Sequence, residues 1–252
     1  MADTCGATDV RSRRLVSVAP QQAVVTIGFH HVSDAIDHYT AVSKQRFREI
    51  VVGLQQHANV VSLEQALDAM NGGELPPRPV LLTFDDAYED IFEPLQSVAE
   101  DGLGSAVVFP VSGWIGRRNL WNRKTRYVAR HLDREQLLTL IGCGFRIGSH
   151  TREHHYLPKL GAEDLEVELL ESRRELESLL QTTVPVVAYP FGSHSPAVCE
   201  AASRSYSAAF TTETKSGVRV WNDDPYRIRR LMVTRSTTWP ELWSMMLREW
   251  GS

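Results

Sequence analysis

The sequence predicts an α/β fold built on a parallel sheet, and three observations predict it. Short apolar segments alternate with helical segments about seven times along the chain. A length of 252 residues suits a single α/β barrel better than an open sheet. No Gly-x-Gly-x-x-Gly follows the first strand candidate and no Gly-Lys-Ser/Thr occurs, so doubly wound nucleotide-binding folds lose their usual support. The expected organisation is one domain over residues 21–252, preceded by a polar, aperiodic, flexible tail at 1–20.

Taken in order, residues 23–29 form the first strand, ending in His30-His31. A helical pattern covers 40–57, a short extended piece 59–63 and a helix 63–70. The loop 71–79 contains Asn-Gly and Pro-Pro. Residues 80–84 are short and apolar, which predicts a buried strand, and a helix at 88–100 follows. Strand 105–111, helix 133–141 and strand 145–149 come next, the last delivering His150. The longest helix, 162–181, carries Leu165, Leu169, Leu176 and Leu180 on one face, with Glu and Arg opposite. Strand 185–189 runs into Pro190-Phe191-Gly192. Helix 195–203, strands 206–211 and 228–233, and helix 239–250 complete the chain.

Composition is that of an ordinary globular protein, 42% hydrophobic and 23% charged. A net charge of −4 gives no electrostatic case for nucleic acid or an anionic membrane. No apolar run is long enough to span a bilayer. The first residues hold no apolar h-region, and three scattered cysteines form neither a disulfide framework nor a Cys-rich zinc site. A cytoplasmic protein is the expectation. Nothing in the sequence sets an oligomeric state.

The unusual polar residues gather at the C-terminal ends of strand candidates, where parallel α/β barrels build active sites. His30 follows the first strand, Asp85-Asp86 follows 80–84, His150 follows 145–149, and Pro190-Phe191-Gly192 follows 185–189. One Asp there reads equally well as a helix cap. Two adjacent ones at a strand end favour a functional pair. His150-Thr151-Arg152-Glu153-His154 spaces two imidazoles at i and i+4, and with Asp86 they make a His₂Asp set that leaves a position open for water. His155 competes with His154 for the same role. A divalent ion in such a site, Zn²⁺ foremost, with Co, Ni, Mn or Fe as substitutes, points to hydrolysis, with Asp85 as base and a His as acid.

These motifs resemble those of the polysaccharide deacetylase family, also called NodB-homology or carbohydrate esterase 4. Its Thr-Phe-Asp-Asp-Gly is Thr83-Phe84-Asp85-Asp86-Ala87 here. Its His-Ser/Thr-x-x-His is His150–His154, and its Tyr-Pro-Tyr/Phe-Gly is Tyr189-Pro190-Phe191-Gly192. The resemblance covers about residues 23–235 and implies a distorted (β/α)₇ barrel. It also implies metal-dependent removal of an N-acetyl group from an amino sugar. By position Asp85 is then the base, and Asp86, His150 and His154 are the ligands, which selects His154 over His155. The backbone of Phe191 faces the oxyanion.

The chain departs from this pattern at three places. Ala87 replaces Gly, which matters only if φ is positive there. The Arg that many members carry before the third motif is Ala188, so another cation must hold the base; Arg230 resembles the Arg common near the C-terminus of this branch and is a candidate. No His follows His194, so the C-terminal acid of many members is absent. Phe29-His30-His31-Val32 resembles the opening of a permuted branch, which makes His30 the acid, His31 a residue pointing the other way and His194 the reserve.

Other features read more simply. His38, His57 and His131 have no partner motif and are expected at the surface. The Trp239, Trp243, Met246 and Trp250 stripe is expected to pack on the barrel. Trp114 and Trp121 suit either a sugar subsite or burial. The patch Arg117, Arg118, Arg123, Lys124 and Arg126 reads as a solvated loop, with an acidic substrate as the alternative. The expected substrate is an N-acetylated saccharide, soluble and intracellular. Rival functions are an amidase for a non-sugar C–N bond and a silent carbohydrate-binding module of the same fold.

Overall fold

A computed structural model describes residues 23–119, 128–212 and 218–251. The proposed tail at 1–20, Trp121, Arg123, Lys124 and Arg126 lie outside the described residues.

Seven strands form a parallel ring: β1 Val25–Phe29, β2 Pro79–Asp86, β3 Val107–Pro110, β4 Arg146–Ile147, β5 Val186–Ala188, β6 Ala208–Thr211, and β7 in two pieces, Ile228–Arg229 and Leu231–Met232. β1 pairs with β2 on one side and with the second piece of β7 on the other. β2, β3 and β4 follow in turn, as do β5, β6 and the first piece of β7. Two features join the two arcs. Ser149, just past β4, bridges Val187 of β5, with Ser149 N–H on Val186 O and Ala188 N–H on Ser149 O, both at 2.9 Å. At the other seam β7 breaks at Arg230 and changes partner from β6 to β1. This is a distorted (β/α)₇ barrel in a single domain.

Side chains alternate across each strand, so the ring separates two apolar sets. Leu81, Val107, Phe109, Val186, Ala188, Ala208, Phe210 and Ile228 pack together inside. Ile27, Phe29, Leu82, Phe84, Val108, Val187 and Leu231 pack outward with the helices. Parity then assigns the polar residues. His30, Asp85, His150 and Arg230 share the inward parity of their strands and sit at or beyond the last apolar layer.

The helices cover the outer face: α1 Lys44–His57, α2 Leu63–Ala69, α3 Phe92–Val98, α4 Arg134–Gly142, α5 over 162–180, α6 Pro196–Ser203 and α7 Trp239–Trp250. α1 starts at Lys44 rather than 40 because Ser43 caps it and Ala41–Val42 pairs with His31–Val32 as a small parallel ladder. The aromatic stripe of α7 packs on α1: Leu242 and Met246 are buried, and a Cβ on Gly53 would meet the Trp239 ring at 2.3 Å. Among the described residues no helix is long and apolar enough to cross a membrane.

α5 departs from the expected pattern. Its middle, Val167–Glu171, is a π-helical turn, and Glu168 and Ser172 are buried with Leu165, Leu169 and Leu176 instead of facing solvent. The reason is a set of hydrogen-bond donors waiting beneath it. His131 also contradicts the surface expectation. It is 1% exposed, because the segment 130–132 lies across the end of β2. His57 is exposed against Trp239 and Trp243, as expected, whereas His38 is half-buried at the rim of a pocket beyond the strand ends.

Candidate active site

The strand β2 delivers two carboxylates to one pocket by breaking its own alternation. Asp85 follows Leu81 and Thr83 inward. Asp86 would point out among the helices if the strand continued. Instead Asp86 and Ala87 both take left-handed backbone, φ 63° and 53°, which turns Asp86 back over the barrel mouth. A non-glycine residue there costs about 1–2 kcal/mol, so the condition under which Ala87 matters is met. The turn is held by the 130–132 segment. Leu132 N–H donates to Ala87 O at 2.8 Å, and His131 Nδ1 donates to Asp86 O at 2.7 Å.

The second contributor is the loop 150–154. His150 Nδ1 donates to Ala188 O at 2.7 Å, which fixes the ring and leaves Nε2 as a lone-pair donor. Thr151 and His154 have φ of 66° and 60°. The chain therefore reverses tightly enough for both imidazoles to face Asp86. His150 Nε2 and His154 Nε2 lie 3.6 and 3.4 Å from Asp86 Oδ1. His155 turns away to Glu168 Oε1 at 2.7 Å.

These three residues fit a divalent cation. One ligand atom from each lies within 4.8 Å of the others. Asp86 Oδ1 is buried and makes no hydrogen bond, a state that normally costs free energy and that a cation would satisfy. Burial and then the Asp85 charge push the Asp86 carboxyl up to about 8. Burial, with the neighbouring His150 acting the same way, holds His154 well below the ordinary imidazole value. Two neutral imidazoles and one carboxylate short of positive charge are the donors that Zn²⁺ and its neighbours take.

Beside them Asp85 is gripped by Arg230. Nη1 and Nη2 of the guanidinium donate to Oδ1 and Oδ2 at 2.6 and 2.7 Å, and both residues are essentially inaccessible. Nη1 also reaches Thr83 Oγ1, and the guanidinium lies over the Phe109 and Phe210 rings, which pack edge to face on each other. Burial works to raise the Asp85 carboxyl, but the Arg230 charge, aided by His150, overrides it and holds the group well below the usual carboxylate range.

His30 lines the same pocket as Asp85, Asp86, His150, His154 and Phe191, a cavity of about 340 Å³. Burial lowers His30 to about 4 against the raising influence of Asp85, and its Nδ1 has no hydrogen-bond partner. Phe191 sits at φ 60°, 61% exposed, with its ring edge-on to His154. Pro190 is buried, and Gly192, φ 65°, packs where a Cβ would strike Thr212 at 2.0 Å. Tyr189 points into the core, its hydroxyl on Tyr226 O.

Like Tyr189, the two remaining histidine candidates are not brought in. His31 faces the other way, bonding Asp90 at 2.7 Å and stacking on Tyr88. His194 lies outside the pocket, bonded to Gly192 O and stacked on Tyr189. Sequence reasoning missed His131 and Glu168. His131 carries no local signal. Glu168 does, since its position puts it on the helical face of Leu165, Leu169 and Leu176, which must be buried.

The family model described as polysaccharide deacetylase matches residues 72–207, more than half of the chain. The chain is 25% identical over 176 residues to the poly-beta-1,6-N-acetyl-D-glucosamine N-deacetylase of Staphylococcus aureus (strain MRSA252), covering 66% of this chain and 58% of that protein. It is 27% identical over 148 residues to the enzyme of the same name from Escherichia coli (strain K12), covering 54% of this chain and 22% of that one. It therefore spans well under two thirds of these curated relatives. In fold it is similar to Streptococcus pyogenes deacetylase PplD, solved with acetate, at TM-score 0.75 and 18% identity over 90% of this chain and 99% of that one. IcaB from Ammonifex degensii matches at TM-score 0.75 and 21% identity, over 89% and 97%. With the motifs, the barrel and the family match in agreement, this chain belongs to the polysaccharide deacetylase family.

Proposed function

We propose that this protein is a metal-dependent N-deacetylase that hydrolyses the acetamide of an N-acetylated amino sugar. One observation carries the reading: the orphaned Asp86 oxygen and two imidazole nitrogens converge on one point, next to a carboxylate fixed by a buried guanidinium. A divalent ion held by Asp86, His150 and His154, most simply Zn²⁺, would supply Lewis acidity for the attacking water and the acyl oxygen.

The chain's own residues do the rest. Asp85, ionised at any working pH, takes the proton of the water, and Arg230 keeps both its oxygens in register. His30 enters the cycle neutral. It delivers to the leaving nitrogen a proton that it collects during turnover, with Asp85 as the source, so that amine and acetate leave as products. The left-handed Pro190-Phe191-Gly192 turn brings backbone to the pocket rim, where N–H groups can meet a developing oxyanion. Exposed Phe191 and Tyr39 flank the cavity and offer apolar faces to a sugar ring.

Metal analysis should find about one divalent ion per chain, as a three-ligand site requires. Acetate release from N-acetylglucosamine oligomers, from soluble N-acetyl sugars including sugar nucleotides, and from a non-sugar acetamide then fixes the substrate. Turnover of the non-sugar amide alone would replace the saccharide reading. No turnover of any substrate by the metal-loaded protein would favour a binding module.

A further inference from the structure

The loop that carries both imidazoles is held from below by one buried carboxylate. Glu168 Oε2 accepts the backbone N–H groups of Arg152 and Glu153, each at 3.0 Å, and Oε1 meets His155 Nδ1 at 2.7 Å. Its side chain is only 4% exposed. Those two N–H groups lie at the centre of His150–His154, between the left-handed residues Thr151 and His154. Neither left-handed residue is glycine, so the backbone conformation that aims both rings is intrinsically disfavoured and needs outside support.

The same helix supplies further support. Ser172 Oγ bonds Ser149 Oγ at 2.9 Å, and Ser149 Oγ accepts from Thr151 N–H. Glu175 Oε1 holds Arg152 Nε at 2.8 Å. Glu168 differs from both because its carboxylate takes the two backbone N–H groups at the loop's midpoint, whose carbonyl side is held by Ser112 N–H on Thr151 O and Gly113 N–H on Arg152 O, and it does so from the π-helical turn of α5. Such a turn disturbs the regular helix ladder and is common beside functional sites.

We propose that Glu168 is a positioning residue for the metal centre: it fixes the His150–His154 loop so that the two imidazoles and Asp86 form one site. The inference rests on the metal-site reading above. Glu168 touches neither ion nor substrate in this role and acts only through the loop. A wrongly shaped loop separates the rings, and outer partners of this kind are worth about 10–100-fold in metal affinity.

The test is competitive chelator titration of the full chain with Zn²⁺, and the visible spectrum of the Co²⁺-loaded protein, for wild type, Asp86→Ala, Glu168→Leu, Glu168→Gln and His155→Ala. Leucine leaves two buried N–H donors without an acceptor, whereas the glutamine amide oxygen can still take both. Expected are a loss of about 10–100-fold in Zn²⁺ affinity with an altered Co²⁺ spectrum for Glu168→Leu. Glu168→Gln should retain most of the affinity, and His155→Ala should stay near wild type because the backbone bonds survive. If Glu168→Leu does not fold, a Gln variant with wild-type affinity beside a folded Glu168→Ala variant with weakened affinity and altered spectrum carries the same conclusion. Folded Leu or Ala variants with wild-type affinity and spectrum overturn the role of Glu168. Equal Zn²⁺ binding by wild type and Asp86→Ala overturns the metal site itself.

Discussion

Arg230 and Asp85, 145 residues apart in sequence, form a two-pronged ion pair at the heart of the barrel mouth, with N–O distances of 2.6 and 2.7 Å. The guanidinium stands where β7 changes partner from β6 to β1, so the seam of the barrel and the grip on the carboxylate are the same residue. A planar fork matches both carboxylate oxygens, which a lysine ammonium cannot do.

Removing either partner strands a buried charge. Arg230→Ala should lower stability by about 3–5 kcal/mol, read by urea denaturation, the range for breaking a buried pair. Arg230→Lys keeps the charge but loses the register of Asp85. Its kcat should fall by about 100-fold, since misplacement of a catalytic group by about 1 Å has that effect, with Zn²⁺ affinity little changed. Wild-type turnover by Arg230→Lys would remove the fork from the mechanism.

Asp85→Asn should still bind the metal, because the proposed ligands are Asp86, His150 and His154. Its turnover should drop by about 10²–10⁴-fold, the usual worth of a positioned proton acceptor. Acetate release and metal content measured on the same preparation separate the two effects.

Chelation should act on stability as well as on activity. A ligand bound only by the folded state at about 100 times its Kd adds about 2.7 kcal/mol. Treatment with a strong chelator should therefore lower Tm and abolish turnover, and stoichiometric Zn²⁺ or Co²⁺ should restore both.

Gly148 lies under the site. A Cβ there would meet the Phe109 ring at 2.2 Å, and that ring packs beneath the Arg230 guanidinium. Gly148→Ala should therefore overpack the barrel interior by about 1–3 kcal/mol and reduce kcat through Arg230, although it changes no polar group. Denaturation and kinetics at saturating metal would report both.

Alkaline pH should destabilise the fold, in part through Tyr206. Burial pushes its phenol up to about 12, and its hydroxyl donates to Leu169 O at 2.6 Å in the π-helical turn. In the unfolded chain the group ionises near 10. Its stabilisation is thus complete below pH 10 and is lost as pH rises to about 12, by roughly 2–3 kcal/mol at one pKa unit per 1.36 kcal/mol. Tyr206→Phe should make the loss of stability in that window shallower, the remainder coming from groups such as Tyr189, which burial also pushes up.

Local residue pattern alone places the strands along the chain and marks the residues that stand at their C-terminal ends. Period-two alternation and buried apolar runs need only local information, and β1, β2 and α7 lie within a few residues of where the pattern puts them. The Asp85-Asp86, His150–His154 and Tyr189–Gly192 motifs were legible for the same reason: each is one short segment. Tertiary structure decided what those residues face. It placed the Arg230 fork on Asp85, buried His131 on the Asp86 carbonyl and drew Glu168 under the histidine loop, all contacts between distant segments that no local spacing encodes. It also imposed left-handed backbone on Asp86, Ala87, Thr151 and His154, residues whose own preferences oppose it. Those conformations persist because the surrounding hydrogen bonds over-determine them, and the Thr83–Ala87 motif becomes a paired-carboxylate site only when the chain has closed around it.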